Sequence, residues 1–356
     1  MRKQVSLKDI ALHSKGQQIN GDELIKDGTY HYLNGGINPS GKWNEYNAEG
    51  NTITISEGGN SCGYVNYMIE PFWCGAHCYY LYNVIGNCKY LYYALKSQQD
   101  KLMKLRSGAC MPNIKKSDLA EFKFMYDTDE QEQNKVVHIL DKLSALIRLQ
   151  KDQLEELDVL IKSRFVEMFG DPVKNTGGWS VKRLGDLSIQ INSGNTPKGG
   201  EQVYVDEGIT FFRSQNVWKD RLEMDDIAYI DEQTHLSMSR SSLKHGDILM
   251  TKTGRINTEN SSLGRAALYM GKDDAANVNG HVYFIRLKPG VNNKFILRIL
   301  VSNEYRDHIR SVCVGGIDKR QLNKNHIEDF PIICPPNDMV DSYVAFVEQV
   351  DKLKFS

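Results

Sequence analysis

The sequence lacks the long apolar run that a membrane-spanning helix needs. No stretch among its 356 residues approaches about 18 consecutive apolar residues, and the first ten residues hold no apolar signal-peptide core. We therefore expect a cytoplasmic protein. The cysteines number seven, an odd count that is typical of reduced thiols and not of a disulfide framework.

The short motifs of common active sites are also missing. The sequence contains no phosphate-binding loop, no dinucleotide-binding glycine turn, no nucleophile elbow and no zinc-protease helix motif. It also lacks the amino-methyltransferase signature, Asn or Asp followed by Pro-Pro and an aromatic residue, since its Pro-Pro pair precedes Asn337. These absences argue against an enzyme of any of these classes.

Two cysteines and a histidine in the first third invite a zinc interpretation. Cys74, His77 and Cys78 lie in one aromatic, strand-like string, but no second tight pair follows them. Buried thiols that act as small apolar side chains fit this pattern better, so we expect no metal site. His77 and His281 occupy similar places, and without a neighbouring nucleophile we predict structural hydrogen-bonding roles for both.

The most informative feature is an internal duplication. Residues 108–124 align without a gap on residues 316–332, at an offset of 208 positions. Residues 7–10 align on residues 184–187 at an offset of 177, so the second copy has a longer middle. Shared boundaries with divergent interiors are typical of a common scaffold that presents different surfaces.

A long helix is predicted between the copies. No Gly or Pro occurs from about residue 130 to residue 169, and Gly170 and Pro172 mark its end. At 1.5 Å per residue the helix measures roughly 58 Å. Its apolar residues alternate at spacings of three and four, which predicts a coiled-coil seam. The seam residues are Val136, Leu140, Leu143, Ile147, Leu154, Leu157, Ile161 and Met168.

On these features the chain resembles the specificity subunit of type I restriction–modification systems, over essentially its whole length. The resemblance depends on the doubled copies and on the helix opening E-Q-N-K-V-V-H-I-L-D-K-L at residues 132–143. It also depends on F-V-E-M-F-G-D-P at residues 165–172 and on G-W-S-V-K-R-L-G-D-L at residues 178–187. Each piece alone is weak, and the combination is specific.

The resemblance implies an α+β fold with two α/β target recognition domains, each reading one half of a split site in double-stranded DNA. The helices would form an antiparallel coiled coil that sets the spacer and docks two modification subunits. Those partners would carry S-adenosylmethionine for adenine methylation, and restriction motor subunits with ATP and Mg could join. This chain would hold no cofactor and would be non-catalytic.

The expected division has four parts. Residues 1–127 form the first recognition domain, 128–176 the central helix and linker, 177–333 the second recognition domain, and 334–356 a distal helix. We expect that helix to be too short to pair with the whole central one. Basic residues outnumber acidic ones by 14 to 12 in the first domain and by 21 to 19 in the second. The chain's net charge of −1 is therefore the sum of two mildly basic domains and more acidic helical segments. Because each domain has only a small positive charge, we expect the chain alone to have a modest affinity for DNA phosphates.

Candidate DNA contacts lie in polar segments next to predicted strands. Forked donors such as Arg, Asn and Gln read base edges, while Lys, Arg and Ser suit phosphates. The candidates in the first copy are Tyr32, Asn34, Asn38, Lys42, Asn44, Ser56, Asn60, Asn113, Lys115 and Lys116. Those in the second copy are Arg213, Ser214, Gln215, Asn216, Lys252, Thr253, Arg255, Asn257, Arg265, Lys319 and Arg320. Two alternatives remain: a coiled-coil adaptor that binds only proteins and, less favoured because the catalytic motifs are missing, a self-contained DNA-modifying enzyme.

Overall fold

The same arrangement of strands and helices occurs twice along the chain. The structure, a computed structural model, describes residues 2–108, 112–256, 258, 260–316 and 319–354. It divides into two units, residues 1–151 and 152–356. The predicted central helix crosses this division, so the four-part division expected from the sequence stays a prediction.

Among its described residues, the first unit contains three small sheets. Its strands are β1 (Arg2–Ser6), β2 (Leu12–Lys15), β3 (Tyr30–Leu33), β4 (Gly41–Trp43), β5 (Thr52–Ser56), β6 (Val65–Met68), β7 (Phe72–Cys74), β8 (Cys78–Tyr82) and β9 (Lys123–Asp127). Its helices are α1 (Cys88–Lys96), α2 (Gln99–Met103), α3 (Lys116–Ala120) and the start of α4 (Glu130–Phe169). The sheet orders are β1-β9, β2-β8-β5-β6 and β4-β3-β7, and β3 runs parallel to β7.

The second unit repeats these sheets and adds to them. Its strands are β10 (Ser180–Arg183), β11 (Ser188–Ser193), β12 (Tyr204–Val205), β13 (Ile209–Phe212), β14 (Ala228–Ile230), β15 (Ile248–Thr251), β16 (Thr253–Gly254), β17 (Ala266–Leu268), β18 (Ala276–Val278), β19 (Val282–Leu287), β20 (Val314–Gly315), β21 (Arg320–Gln321) and β22 (Pro331–Cys334). Its helices are α5 (Leu184–Leu187), α6 (Glu232–Ser237), α7 (Asn293–Val301), α8 (Asn303–Val312), α9 (Lys324–Glu328) and α10 (Asn337–Lys354). The orders β10-β22, β11-β19-β15-β17 and β14-β13-β18 match those of the first unit.

The duplication extends to single hydrogen bonds. Leu7 N–H donates to the Phe122 carbonyl at 3.0 Å, and Leu184 N–H donates to the Phe330 carbonyl at 2.9 Å. The predicted longer middle of the second copy contains β12 and α6. The small sheet β16-β21-β20 reaches into the aligned segment 316–332, and its counterparts in the first unit are the single bridges Gly58–Asn113 and Ser107–Asn113. A β-bulge between Ser188 and Gln190 inserts one further residue, so the offset rises from 177 to 178 positions after it.

Two equivalent glycines allow the chain to cross a neighbouring strand end in each unit. A Cβ on Gly16 would lie 1.9 Å from the Cys74 carbonyl oxygen, and a Cβ on Gly194 would lie 1.9 Å from that of Val278. We expect Gly16→Ala and Gly194→Ala each to lower the free energy of unfolding of its own unit by about 1–3 kcal/mol, because backbone must move to relieve the clash.

Urea unfolding of the full chain checks this prediction, with hydrogen exchange to assign each transition to a unit. Gly21→Ala and Gly316→Ala are matched controls, since an added Cβ meets nothing within 4 Å at either position. If Gly16→Ala and Gly194→Ala lower stability no more than the two control substitutions do, the backbone does not approach these glycines as closely as 1.9 Å implies.

The central helix has the predicted limits. Asp129 accepts a hydrogen bond from Gln131 N–H at its start, and Gly170, with φ +76°, follows its last residue. Its final turns lie antiparallel to α10. The rings of Phe169 and Tyr343 are 5.5 Å apart, whereas eleven residues away on both helices Lys354 pairs with Asp158 at 2.8 Å.

The predicted seam is covered only along this last part. Ile161 is buried in the core of the second unit, and Leu157 and Met168 pack against that core. Leu140 and Leu154 are half-buried, whereas Val136, Leu143 and Ile147 are exposed. A full-length seam therefore stays a prediction. None of the described helices is long and apolar enough to cross a membrane.

Candidate nucleic-acid interface

Three polar segments predicted to contact DNA meet in the first unit. They converge on the short connection between β7 and β8. In this connection Gly75 N–H donates to the Leu33 carbonyl at 2.9 Å, and His77 N–H donates to Asn34 Oδ1 at 3.2 Å. The His77 carbonyl accepts from Glu57 N–H at 2.9 Å. Ile114 N–H then donates to the Glu57 carbonyl, which adds the third segment to the same junction.

The second unit builds the same junction from different residues. Asn279 N–H donates to the Phe212 carbonyl at 3.0 Å, and Lys252 N–H donates to the His281 carbonyl at 2.9 Å. Leu322 N–H donates to the Lys252 carbonyl at 2.9 Å. The strand pair β16-β21 places Gly254 opposite Arg320, so the second and third predicted segments lie side by side.

Many of the residues predicted to contact DNA have exposed or half-buried side chains. The exposed ones are Asn38, Lys42, Asn44, Asn60, Asn113, Lys115, Lys116, Gln215, Arg255 and Lys319. Those that are half-buried are Asn34, Arg213, Ser214, Lys252, Thr253, Arg265 and Arg320. Asn257 lies outside the described residues. Exposed amide and cationic side chains next to one backbone junction can donate to phosphates and base edges.

Three of the residues predicted to contact DNA have buried side chains in this structure. The Tyr32 hydroxyl donates to the Ile19 carbonyl at 3.3 Å, and Ser56 is enclosed at the end of β5. Asn216 stabilises its own loop, since its Oδ1 accepts from Arg213 N–H and its Nδ2 donates to the Asp226 carbonyl at 3.0 Å. A sequence pattern identifies a polar segment but does not show which of its side chains point inward.

The Arg213 guanidinium is engaged within the chain. It forms an ion pair with Asp226 at 3.1 Å, and Gln215 also donates to that carboxylate. The hydrogen bonds from Gln215 and Arg213 hold the pKa of Asp226 below its usual range. Arg213 therefore positions the loop, while the exposed Gln215 lies at its surface.

Arg265 has a comparable positioning role. Its Nε donates to the Ser261 carbonyl at 3.1 Å, and its guanidinium lies 3.9 Å from the centre of the Trp218 ring. Burial lowers the pKa of Arg265, as do the nearby guanidinium groups of Arg306 and Arg221. Arg265 thus links Ser261 to the segment that follows Asn216.

The cysteines beside the first junction serve as core residues. Cys74 and Cys78 are buried with Leu33 and Phe72 in a small apolar cluster. The equivalent positions of the second unit hold Val278 and Val282, which are equally buried. The His77 side chain is instead exposed, and its Nδ1 lies 3.7 Å from the Glu57 carboxylate. This environment supports the interpretation of both thiols as small apolar side chains.

Sequence reasoning missed Lys15 and Glu57 in the first junction. Glu57 occupies the backbone position that Lys252 has in the second unit, and its carboxylate pairs with Lys15. Only a register-based alignment finds this equivalence, because the residues differ in charge and the segments have no common motif.

Comparison with known proteins identifies the family. The model of the type I restriction modification DNA specificity domain matches residues 2–159 and again residues 176–355. A Mycoplasma pneumoniae protein provisionally named a type I specificity subunit is 38% identical over 200 residues, which are 54% of this chain and 52% of that protein. The type I restriction enzyme MjaIX specificity subunit of Methanocaldococcus jannaschii is 27% identical over 284 residues, 73% of this chain and 61% of its own.

A solved structure has the same fold. The S subunit of a type I restriction–modification system from M. genitalium superposes with a TM-score of 0.62 at 19% identity, covering 99% of this chain and 92% of that one. The chain therefore belongs to the family of type I specificity subunits, and the predicted α+β fold with a long central helix is confirmed. It spans about half the length of the first curated relative that it matches.

Proposed function

We propose that this chain is the DNA-recognition subunit of a type I restriction–modification complex, and that each unit reads one half of a split target. The observation that supports this most directly is the repeated junction: the same backbone hydrogen bonds gather three polar segments in each unit. The side chains on the two junctions differ, as two unlike half-sites require. The family model describes a DNA specificity domain and matches the chain twice, which supports one recognition domain in each unit.

The helices then have a separate task in this proposal. We propose that α4 and α10 set the spacer between the half-sites and dock two modification subunits, with motor subunits joining for restriction. Exposed apolar residues on α4, among them Ile139, Leu146 and Leu149, offer the surface for such docking. S-adenosylmethionine, ATP and Mg would be bound by those partners, and this chain would supply recognition without catalysis.

Genome-wide methylation tests the proposal. Coexpression of this chain with its cognate modification subunit should methylate adenines in a split motif with a spacer of fixed length. Asn113→Ala should relax only one half of that motif, and Arg255→Ala only the other, because each exposed side chain lies beside a different junction. Loss of a base-edge contact costs about 1–3 kcal/mol of discrimination.

Two outcomes would contradict the proposal. A methylated motif without a spacer would contradict the proposal that each unit reads a separate half-site. Failure to bind any duplex, with or without modification subunits, would instead favour the adaptor that binds only proteins.

A further inference from the structure

Equivalent tyrosines are fixed in the same way beside the two junctions. The Tyr79 hydroxyl donates to the Ile114 carbonyl at 3.0 Å, and the Tyr283 hydroxyl donates to the Leu322 carbonyl at 3.4 Å. Both tyrosines are buried, and both lie on the strand that follows the junction histidine. Their rings therefore give a common reference point for comparing the two units.

A lysine ammonium lies over each of these rings. Lys15 Nζ is 5.6 Å from the centre of the Tyr79 ring, and Lys252 Nζ is 5.8 Å from the centre of the Tyr283 ring. The two cations thus occupy corresponding places, close to the backbone hydrogen bonds that gather the polar segments.

These lysines come from different strands. Lys15 pairs with Tyr79 across β2 and β8, and the equivalent register position in the second unit is Ser193 opposite Tyr283. Lys252 follows β15, and the equivalent position in the first unit is Glu57. The two units thus carry different residue types at each of these equivalent backbone positions. Each unit nevertheless has one lysine ammonium over its tyrosine ring.

We infer that Lys15 and Lys252 are equivalent contacts to DNA phosphates, one for each half-site, and that Glu57 restrains Lys15. The inference rests on the proposed function and adds Lys15 and Glu57 to the recognition surface. A compact ammonium group suits phosphate, which accepts hydrogen bonds whatever the base sequence. The Lys15 side chain is 44% exposed, so a phosphate can reach it.

Glu57 makes the two contacts unequal. Its side chain is only 13% exposed, and its carboxylate forms an ion pair with Lys15, with His77 Nδ1 at 3.7 Å from its other oxygen. A phosphate must compete with this carboxylate for Lys15, whereas Lys252 forms no ion pair among the described residues. The first unit should therefore gain less from phosphate binding than the second.

The test measures binding of the full chain to a random-sequence DNA duplex over a series of sodium chloride concentrations, since a phosphate contact needs no target sequence. Each full contact contributes about 0.9 to the slope of log affinity against log salt. Lys252→Gln should reduce the slope by about this amount, and Lys15→Gln by less. Glu57→Gln should bind more tightly and with a steeper slope, and Lys15→Gln in the same chain should abolish that gain.

Lys135 and Glu132 supply the matched controls, because they form an exposed ion pair on α4. Lys135→Gln and Glu132→Gln should leave the slope unchanged. If Glu57→Gln binds no more tightly than the unmodified chain, or if Lys15→Gln lowers only the melting temperature, the lysine merely stabilises the tyrosine and the inference is overturned. If the unmodified chain binds no duplex even at low salt, with or without the modification subunit, the proposed function fails first and the inference with it.

Discussion

Replacing Phe169 by alanine should lower the free energy of unfolding of the second unit by about 3–5 kcal/mol. Phe169 is 1% exposed at the end of α4. Its ring lies 5.1 Å from that of Phe295 on α7 and 5.5 Å from that of Tyr343 on α10. The side chain therefore joins three helices, and a cavity there removes contacts from all of them at once.

The loss of stability should be confined to the unfolding transition of the second unit. In urea unfolding of the full chain, followed by hydrogen exchange, we expect amides of α7 and α10 to lose protection at lower urea while the strands of the first unit are unaffected. Val166→Ala is the control, because this side chain is 55% exposed less than one turn earlier on the same helix. Similar shifts for the two variants would show that the aromatic cluster does not hold α10 in place.

The sequence predicts the long helix and the duplication because both are periodic or repeated over many residues. Heptad spacing and the absence of Gly and Pro locate α4 closely, and the offsets of 177 and 208 positions relate β1 to β10 and β9 to β22. These signals do not depend on the environment of any single side chain.

Individual contacts could not be predicted because they depend on where each side chain points. Tyr32 and Asn216 belong to polar segments, yet both side chains are buried and donate to backbone carbonyls of their own unit. Lys15 looks like an ordinary strand-end lysine until strand register places it over Tyr79. Glu57 has no sequence likeness to Lys252, and only their shared backbone partners relate the two.

Replacing Arg286 by methionine should destabilise the second unit by about 3–5 kcal/mol, because it leaves the buried Asp247 carboxylate without its counterion. Arg286 Nε donates to Asp247 Oδ1 at 3.0 Å, and a second guanidinium nitrogen donates to Oδ2 at 2.7 Å. The carboxylate also accepts from Lys244 N–H at 2.8 Å, a single neutral donor that cannot replace the lost charge.

A double substitution separates the ion pair from the packing around it. Asp247→Asn in the Arg286→Met chain should recover part of the lost stability, because a neutral amide is easier to bury than an unpaired carboxylate. Arg183→Met is the matched control, since Arg183 and Asp329 form an exposed pair at 2.6 Å in the same unit and its loss should cost at most about 1 kcal/mol. Unfolding of the second unit in urea measures all three variants. Equal losses for Arg286→Met and Arg183→Met, or no recovery in the double variant, would show that the Asp247 charge is not what Arg286 compensates.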